Sequence, residues 1–364
     1  MTDNNKNKTF NKGEWSELYA LIKIAHEKKV FLIDENLDLD FERYFPVLSL
    51  LRPEAKIDLA SDGRITVQKE NVNSNDAYYF SDEEVAPLIN TLLRDIKLGK
   101  GSFKSDAGQK GLEKLALSSP KANSTSKEDV RLIVRDYITN QEAEFGLSIK
   151  SYLGGSSTLL NASKDKTNLK YKVMSFHHDI SKVNGIDTRS KVRDRLVEIK
   201  NAGAEIQFEG VANSIFSKNL IKIDSLMPQI YGEMVLAYYQ GHGPSIAALV
   251  KFCCENDRFK KLPIELCADD VEFKVKQLLL NIALGMVPNT LWDGILRADG
   301  GYLIVKDNGD LGCFHIYNFS GFSSYLFKNT KFDTPSTSRH VFGTLAATED
   351  GGHSINLNVQ IRFI

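Results

Sequence analysis

The chain has 364 residues, 42% hydrophobic and 26% charged, enough to bury a substantial core in one large or two ordinary domains. Its 46 Lys and Arg against 47 Asp and Glu give a formal charge of −1, which excludes a globally basic coat for nucleic acid while leaving room for a local basic groove. No stretch approaches 18 consecutive apolar residues, residues 1–8 are too polar for a secretory signal, and four cysteines lack metal-ligand spacing, so a cytoplasmic protein without a membrane span is expected.

From Glu14 the pattern is helical: Trp15, Leu18, Tyr19, Ile22 and Ala25 recur at three- and four-residue spacing. Glu14 and Glu17 border that apolar stripe, either solvated at its rim or turned into a polar site. A mainly helical stretch is expected to about residue 118, with a capping box at Ser81-Asp-Glu-Glu84. Residues 119–127 read as a loop. Residues 130–138 and 145–153 read as two strands joined by a turn at 139–142. With the hairpin centred near Glu142, Asp136 lies opposite Ser148 and Val134 opposite Lys150, so Asp136 and Lys150 project to one face.

Residues 161–223 hold 12 Lys and Arg against 7 Asp and Glu, and include a helix running through Lys200. Residues 227–298 are apolar and helical. Strands at 301–306 and 311–317 flank Asp307-Asn-Gly-Asp310, a hairpin turn. A single alternating strand, 355–363, closes the chain. The expected organisation is a mainly helical region 1–120 contributing a core helix, a catalytic hairpin and basic DNA-binding region 121–225, and a helical and β region 226–364 for target recognition. The fold class is α/β (α+β), a mixed sheet flanked by helices with helical and hairpin additions.

The Asp136/Lys150 spacing resembles the PD-(D/E)XK nuclease hairpin. Phosphodiester hydrolysis needs a carboxylate to hold Mg2+ and a nearby cation to position the attacking water. A solvated hairpin face carries Asp and Lys just as readily, so spacing alone leaves both readings open. Ser148 occupies the catalytic position where the motif usually has its second carboxylate. Another acid must then join Asp136 at the metal, and Glu14 and Glu17 are the candidates. Glu14 also reads as a first-turn carboxylate stabilised by the helix dipole. Arg189 and Lys191, within the basic stretch, could track a phosphate backbone. Asn161 and Asn168 could read base edges or serve as caps. Ser336, Ser338, Arg339 and His340 group hydroxyls, a guanidinium and an imidazole suited to base or phosphate contact.

Several blocks go beyond spacing. Asn11-Lys-Gly-Glu14-Trp-Ser-Glu17-Leu-Tyr19, Phe145-Gly-Leu-Ser-Ile-Lys150-Ser, Ser157-Thr-Leu-Leu-Asn161-Ala-Ser163, Asp299-Gly-Gly-Tyr302 and residues 329–340 resemble, in order, the HpaII restriction endonuclease family, as do residues 356–363. The resemblance implies a prokaryotic, intracellular type II endonuclease of the PD-(D/E)XK class. It implies Mg2+-dependent double-strand cleavage at the palindrome CCGG, and a cognate methyltransferase as functional partner. It also implies that the serine at 148 belongs to the family's own pattern. A palindromic target makes a homodimer the natural assembly. The rival reading is a protein that retains the fold and binds DNA without cutting it.

Overall fold

The computed structural model describes residues 8–69, 77–121, 128–136, 139–315 and 318–364. Strand residues expected at 137–138 and 316–317, and most of the loop expected at 119–127, lie outside them. The chain divides into two compact units, residues 1–157 with 296–322 and residues 158–295 with 323–364. The boundaries expected near 120 and 225 are therefore not where the described chain divides. The hairpin containing Lys150 shares a unit with the first helix and with the strands after residue 300.

In the first unit the helix Lys12–Glu27 forms as its periodicity predicts, and Asn11 caps it in a reciprocal box with Glu14. Trp15, Leu18, Tyr19, Ala20, Leu21, Ile22, Ile24 and Ala25 are all buried, so little of its circumference meets water and it serves as a core helix. Its ends are tied by polar groups as well. Trp15 Nε1 donates to the Phe103 carbonyl at 3.1 Å, and the Tyr19 hydroxyl to the Gly309 carbonyl at 2.7 Å.

The helical expectation fails after this element. Residues 29–69 form the strands Lys29–Ile33, Leu39–Arg52, Ala55–Leu59 and Arg64–Lys69, and Tyr78–Ser81 adds another. Alternation in Ala55-Lys-Ile-Asp-Leu59, with every second residue buried, is the period-2 signal of a sheet. In Val47-Leu-Ser-Leu-Leu51, paired with Val130–Arg135 and Ala55–Leu59, Val47, Ser49 and Leu50 are buried and Leu48 and Leu51 partly so, and that apolar run hides the period. The capping box at Ser81 is present but closes only a short 3-10 turn before the helix Ala86–Leu98.

Among the described residues, nine strands form one mixed sheet. Lys29–Ile33 pairs with Leu311–Phe314 on one side and with Leu39–Arg52 on the other, so the sheet partly returns on itself. Glu142–Ser151 lies inside it, antiparallel to Val130–Arg135 and parallel to Gly301–Val305. Gly301 stands where a Cβ would come within 1.9 Å of the Phe314 carbonyl oxygen, at φ +101°, so only glycine starts this strand. The expected Asp307–Asp310 turn joins Gly301–Val305 to Leu311–Phe314.

The second unit carries a four-stranded sheet and a three-stranded one among its described residues. The helices Met227–Tyr239, Ile246–Glu255 and Ala268–Leu284 occupy most of the span expected to be helical, but the expectation fails at 285–298, which are turns and irregular chain. The single closing strand is in fact two. His353–Leu357 pairs with Leu169–Met174 in one sheet, and Gln360–Phe363 pairs with Thr330–Asp333 in the other. Asn358 marks the change. It is fully buried, donating to Asn168 Oδ1 at 2.6 Å and accepting from the Thr167 hydroxyl at 3.0 Å. Those bonds satisfy polar groups that a continuous ladder would leave unpaired.

Candidate active site

The hairpin register decides which residues meet. Val130 pairs with Leu147, Leu132 with Phe145 and Arg135 with Glu142. Asp136 therefore lies near the tip, where its N–H donates to the Gln141 carbonyl at 2.8 Å, and not opposite Ser148. The residue at Ser148 is Asp129. The slip is seven residues, from 136 to 129, and an odd slip also reverses the face. Asp136 thus stands on the other side of the sheet from Lys150 and about 30 Å along the strand, at the usual rise per residue. Its buried carboxylate is engaged locally, with Oδ1 accepting from the Thr139 N–H at 2.7 Å and the Thr139 hydroxyl at 3.1 Å. The pairing of Asp136 with Lys150 is withdrawn on this geometry.

Asp129 takes that place by a chain of contacts. Its N–H donates to the Leu147 carbonyl at 2.8 Å, and its Oδ2 accepts from the Ile149 N–H at 2.6 Å and from the Ser148 hydroxyl at 3.2 Å. Lys150 Nζ donates to Ser148 Oγ at 2.9 Å and sits 5.3 Å from the ring centroid of buried Tyr302. Tyr302 is aligned with Ser148 on the adjacent parallel strand, so its ring lies on the face from which Ser148 and Lys150 project. Burial, reinforced by the nearby Asp129 charge, pushes the Tyr302 phenol far above its ordinary range and keeps it neutral. An aromatic face beneath an ammonium attracts the cation without neutralising it.

Arg52 supports the acid from behind. It is buried, and its Nη1 donates to the Asp129 carbonyl at 2.7 Å. Burial lowers its pKa, opposed by the charges of Glu17, Glu54 and Asp129, which places Glu17 within electrostatic reach of the same guanidinium. Glu17 is half-buried on the helix whose Ser16 hydroxyl accepts from Ser151 Oγ at 2.9 Å, one residue past Lys150. Glu14 is placed differently. One of its carboxylate oxygens accepts the Asn11 N–H at 2.9 Å and the other meets Lys121 Nζ at 2.7 Å, so capping and an ion pair occupy it.

Among the described residues no three His, Cys, Asp or Glu side chains are gathered to hold a metal by themselves. A hard divalent cation such as Mg2+ does not require that, because it keeps waters and binds through one or two carboxylates together with substrate phosphate. Asp129 fits such use, since Oδ2 is fixed by the two donors from 148 and 149 while Oδ1 has no hydrogen-bond partner among the described residues.

The sequence missed Asp129, Arg52 and Tyr302. Asp129 had a signal, an acid directly before the apolar alternation Val130, Leu132, Val134, nineteen residues ahead of Ser148. Tyr302 had only its place in the Asp299-Gly-Gly-Tyr302 block, and Arg52 had no signal, since only sheet order brings them to the hairpin.

The proposed DNA contacts lie in the second unit. Arg189, Lys191 and Ser336 line one cleft. Ser338, Arg339 and His340 lie on the single helical turn Thr337–His340 capped by Ser336. Asn161 is exposed at the end of the strand Thr158–Leu160. Asn168 is withdrawn as a base reader. It is buried, its Oδ1 is taken by Asn358, and its Nδ2 donates to the carbonyls of His340 and Val341 at 3.4 and 3.3 Å.

An acid, a hydroxyl and a lysine in sequence on adjacent strands, braced by a helix that carries a further acid, make up the kind of site used for phosphodiester hydrolysis. The chain matches the model of the HpaII restriction endonuclease family over residues 11–363 and belongs to that family. It is 35% identical to the Type II restriction enzyme HpaII of Haemophilus parainfluenzae over 364 residues, covering 97% of this chain and 98% of the relative. No solved structure matches it. No helix among the described residues is long and apolar enough to cross a membrane.

Proposed function

We propose that the chain is a type II restriction endonuclease that cuts both strands of DNA at a short palindrome, CCGG or a close variant, with Mg2+, from a PD-(D/E)XK-type core. The observation that carries this reading is the run Asp129–Ser148–Lys150, joined by hydrogen bonds of 3.2 and 2.9 Å on one face of the sheet. A bound Mg2+ would supply Lewis acidity toward the scissile phosphate and a more acidic water. Asp129 would hold it through Oδ1, with Glu17 as the second acid in place of the one absent at Ser148. Lys150, aimed by the Ser148 hydroxyl and the Tyr302 ring, would orient the water and meet the charge that develops on phosphate oxygen. A cognate methyltransferase and a symmetric homodimer on DNA belong to the same reading, as does a cytoplasmic location.

A binder that no longer cuts is the second reading, favoured by the missing carboxylate at 148. Unmethylated plasmid incubated with protein and Mg2+ should yield discrete fragments, and none with EDTA. Retention of plasmid on a gel without any cutting in Mg2+ would reject the nuclease reading.

A further inference from the structure

A cleft of about 730 Å3 in the second unit is chemically lopsided. Its lining includes the cations Arg189, Lys191 and Arg193 and the hydroxyls of Tyr238, Thr334 and Ser336. Lys191 is paired with Asp187 at 2.8 Å. Among the described residues Arg189 and Arg193 have neither a hydrogen bond nor an ion-pair partner, although both reach solvent at the cleft. The Arg193 guanidinium rests on the backbone of Gly241, where an added Cβ would lie 2.8 Å from its Cζ, and a φ of +95° reserves that position for glycine. The carboxylate in the lining, Asp333, is held by Gln360 at 2.8 Å and is already ion-paired with Arg362 at 3.4 Å.

We infer that this cleft seats a phosphodiester segment of the DNA backbone, with Arg189 and Arg193 each meeting one phosphate and the lining hydroxyls donating to its oxygens. The inference rests on the nuclease reading for the identity of the polyanion. A phosphate is acceptor-only, and guanidinium groups with hydroxyls are the donors that match it. Shape argues the same way. Base edges lie recessed in the grooves and are reached by side chains that protrude, whereas the backbone is the ridge that enters a concave wall. Arg193 and Tyr238 join the interface on this basis, together with Thr334 from the hydroxyl-rich 334–340 segment.

The test uses the full chain and a 30-base-pair duplex carrying the target, without divalent ions so that nothing is cut, and reads fluorescence anisotropy over a range of KCl concentrations. Each lost phosphate contact lowers the slope of log affinity against log salt by about 0.9. Arg189→Ala with Arg193→Ala should therefore lower the slope by about 2 and weaken binding to target and non-target duplexes alike. Lysines at both positions should restore the slope, while Lys251→Ala, on the exposed face of another helix, should leave it unchanged. An unchanged slope in the double alanine variant, or a loss confined to the target sequence, would overturn the inference. A wild-type protein that cuts plasmid while the double variant keeps its slope sinks the cleft and leaves the nuclease reading intact. A wild-type protein that binds but never cuts, with the slope still lowered in the variant, does the reverse.

Discussion

Asp129→Asn and Asp136→Asn form the sharpest pair of variants, because the hairpin register gives them opposite outcomes. At Asp129 the amide oxygen can still accept the Ile149 N–H that Oδ2 accepts at 2.6 Å, but the bond loses its charge assistance. Charge-assisted bonds are roughly twice as strong as neutral ones, so the cost in stability is about 1 kcal/mol, or a few degrees in melting temperature. The cost to cleavage is larger. Removing the charge that would hold the divalent ion forfeits several kcal/mol of transition-state stabilisation, and 4 kcal/mol corresponds to about a thousandfold in rate. At Asp136 the asparagine oxygen keeps the Thr139 N–H bond of 2.7 Å, so the stability cost is again about 1 kcal/mol. Its distance from Lys150 predicts cleavage within about threefold of wild type, since a variant away from the reacting groups acts mainly through folding. The assay is single-turnover cutting of a labelled duplex at saturating enzyme and Mg2+, with melting curves on the same samples. A folded Asp129→Asn protein that cuts at the wild-type rate would refute the assignment, as would a folded Asp136→Asn protein that does not cut.

Two further outcomes follow from buried polar groups. Asn168→Ala removes the acceptor for Asn358 Nδ2 and two donors to the 340–341 backbone, which should cost about 2 kcal/mol in urea unfolding while target discrimination stays unchanged; a stable variant with relaxed discrimination would return Asn168 to base reading. His315 is buried between Phe45 and Phe145, and burial lowers its pKa from 6.5 to about 4 despite the opposing charges of Asp136 and Asp299. The folded state thus resists a proton that the unfolded chain takes up, so stability present above pH 6.5 falls as pH drops through 4, by about 3 kcal/mol from this group. His315→Phe should remove that part of the acid slope in urea titrations at pH 7.5, 5.5 and 4.5, and identical slopes would refute it.

Local pattern by itself determined a good deal. The three- and four-residue apolar spacing gave the first helix, and Asn308-Gly309 between short apolar runs gave the hairpin after residue 300. The two strands of the Lys150 hairpin were equally legible, though the second begins at Glu142, inside the expected turn, and ordered blocks from Asn11 to Phe363 showed the family. Those signals live within a few residues, where rotamers, caps and turn geometry act. Which acid faces Lys150 was decided elsewhere. Side chains alternate along a strand with period two, so Asp129 and Asp136 fit the same alternating text under different registers. The choice between them came from pairing, because Val130–Arg135 must match Leu39–Arg52 on one side while it matches Glu142–Ser151 on the other. Only tertiary structure could likewise bring Arg52 beneath Asp129, set Tyr302 beside Ser148, or break the last strand at Asn358 so that it serves two sheets. These placements depend on contacts between residues far apart in sequence, and no local period records them.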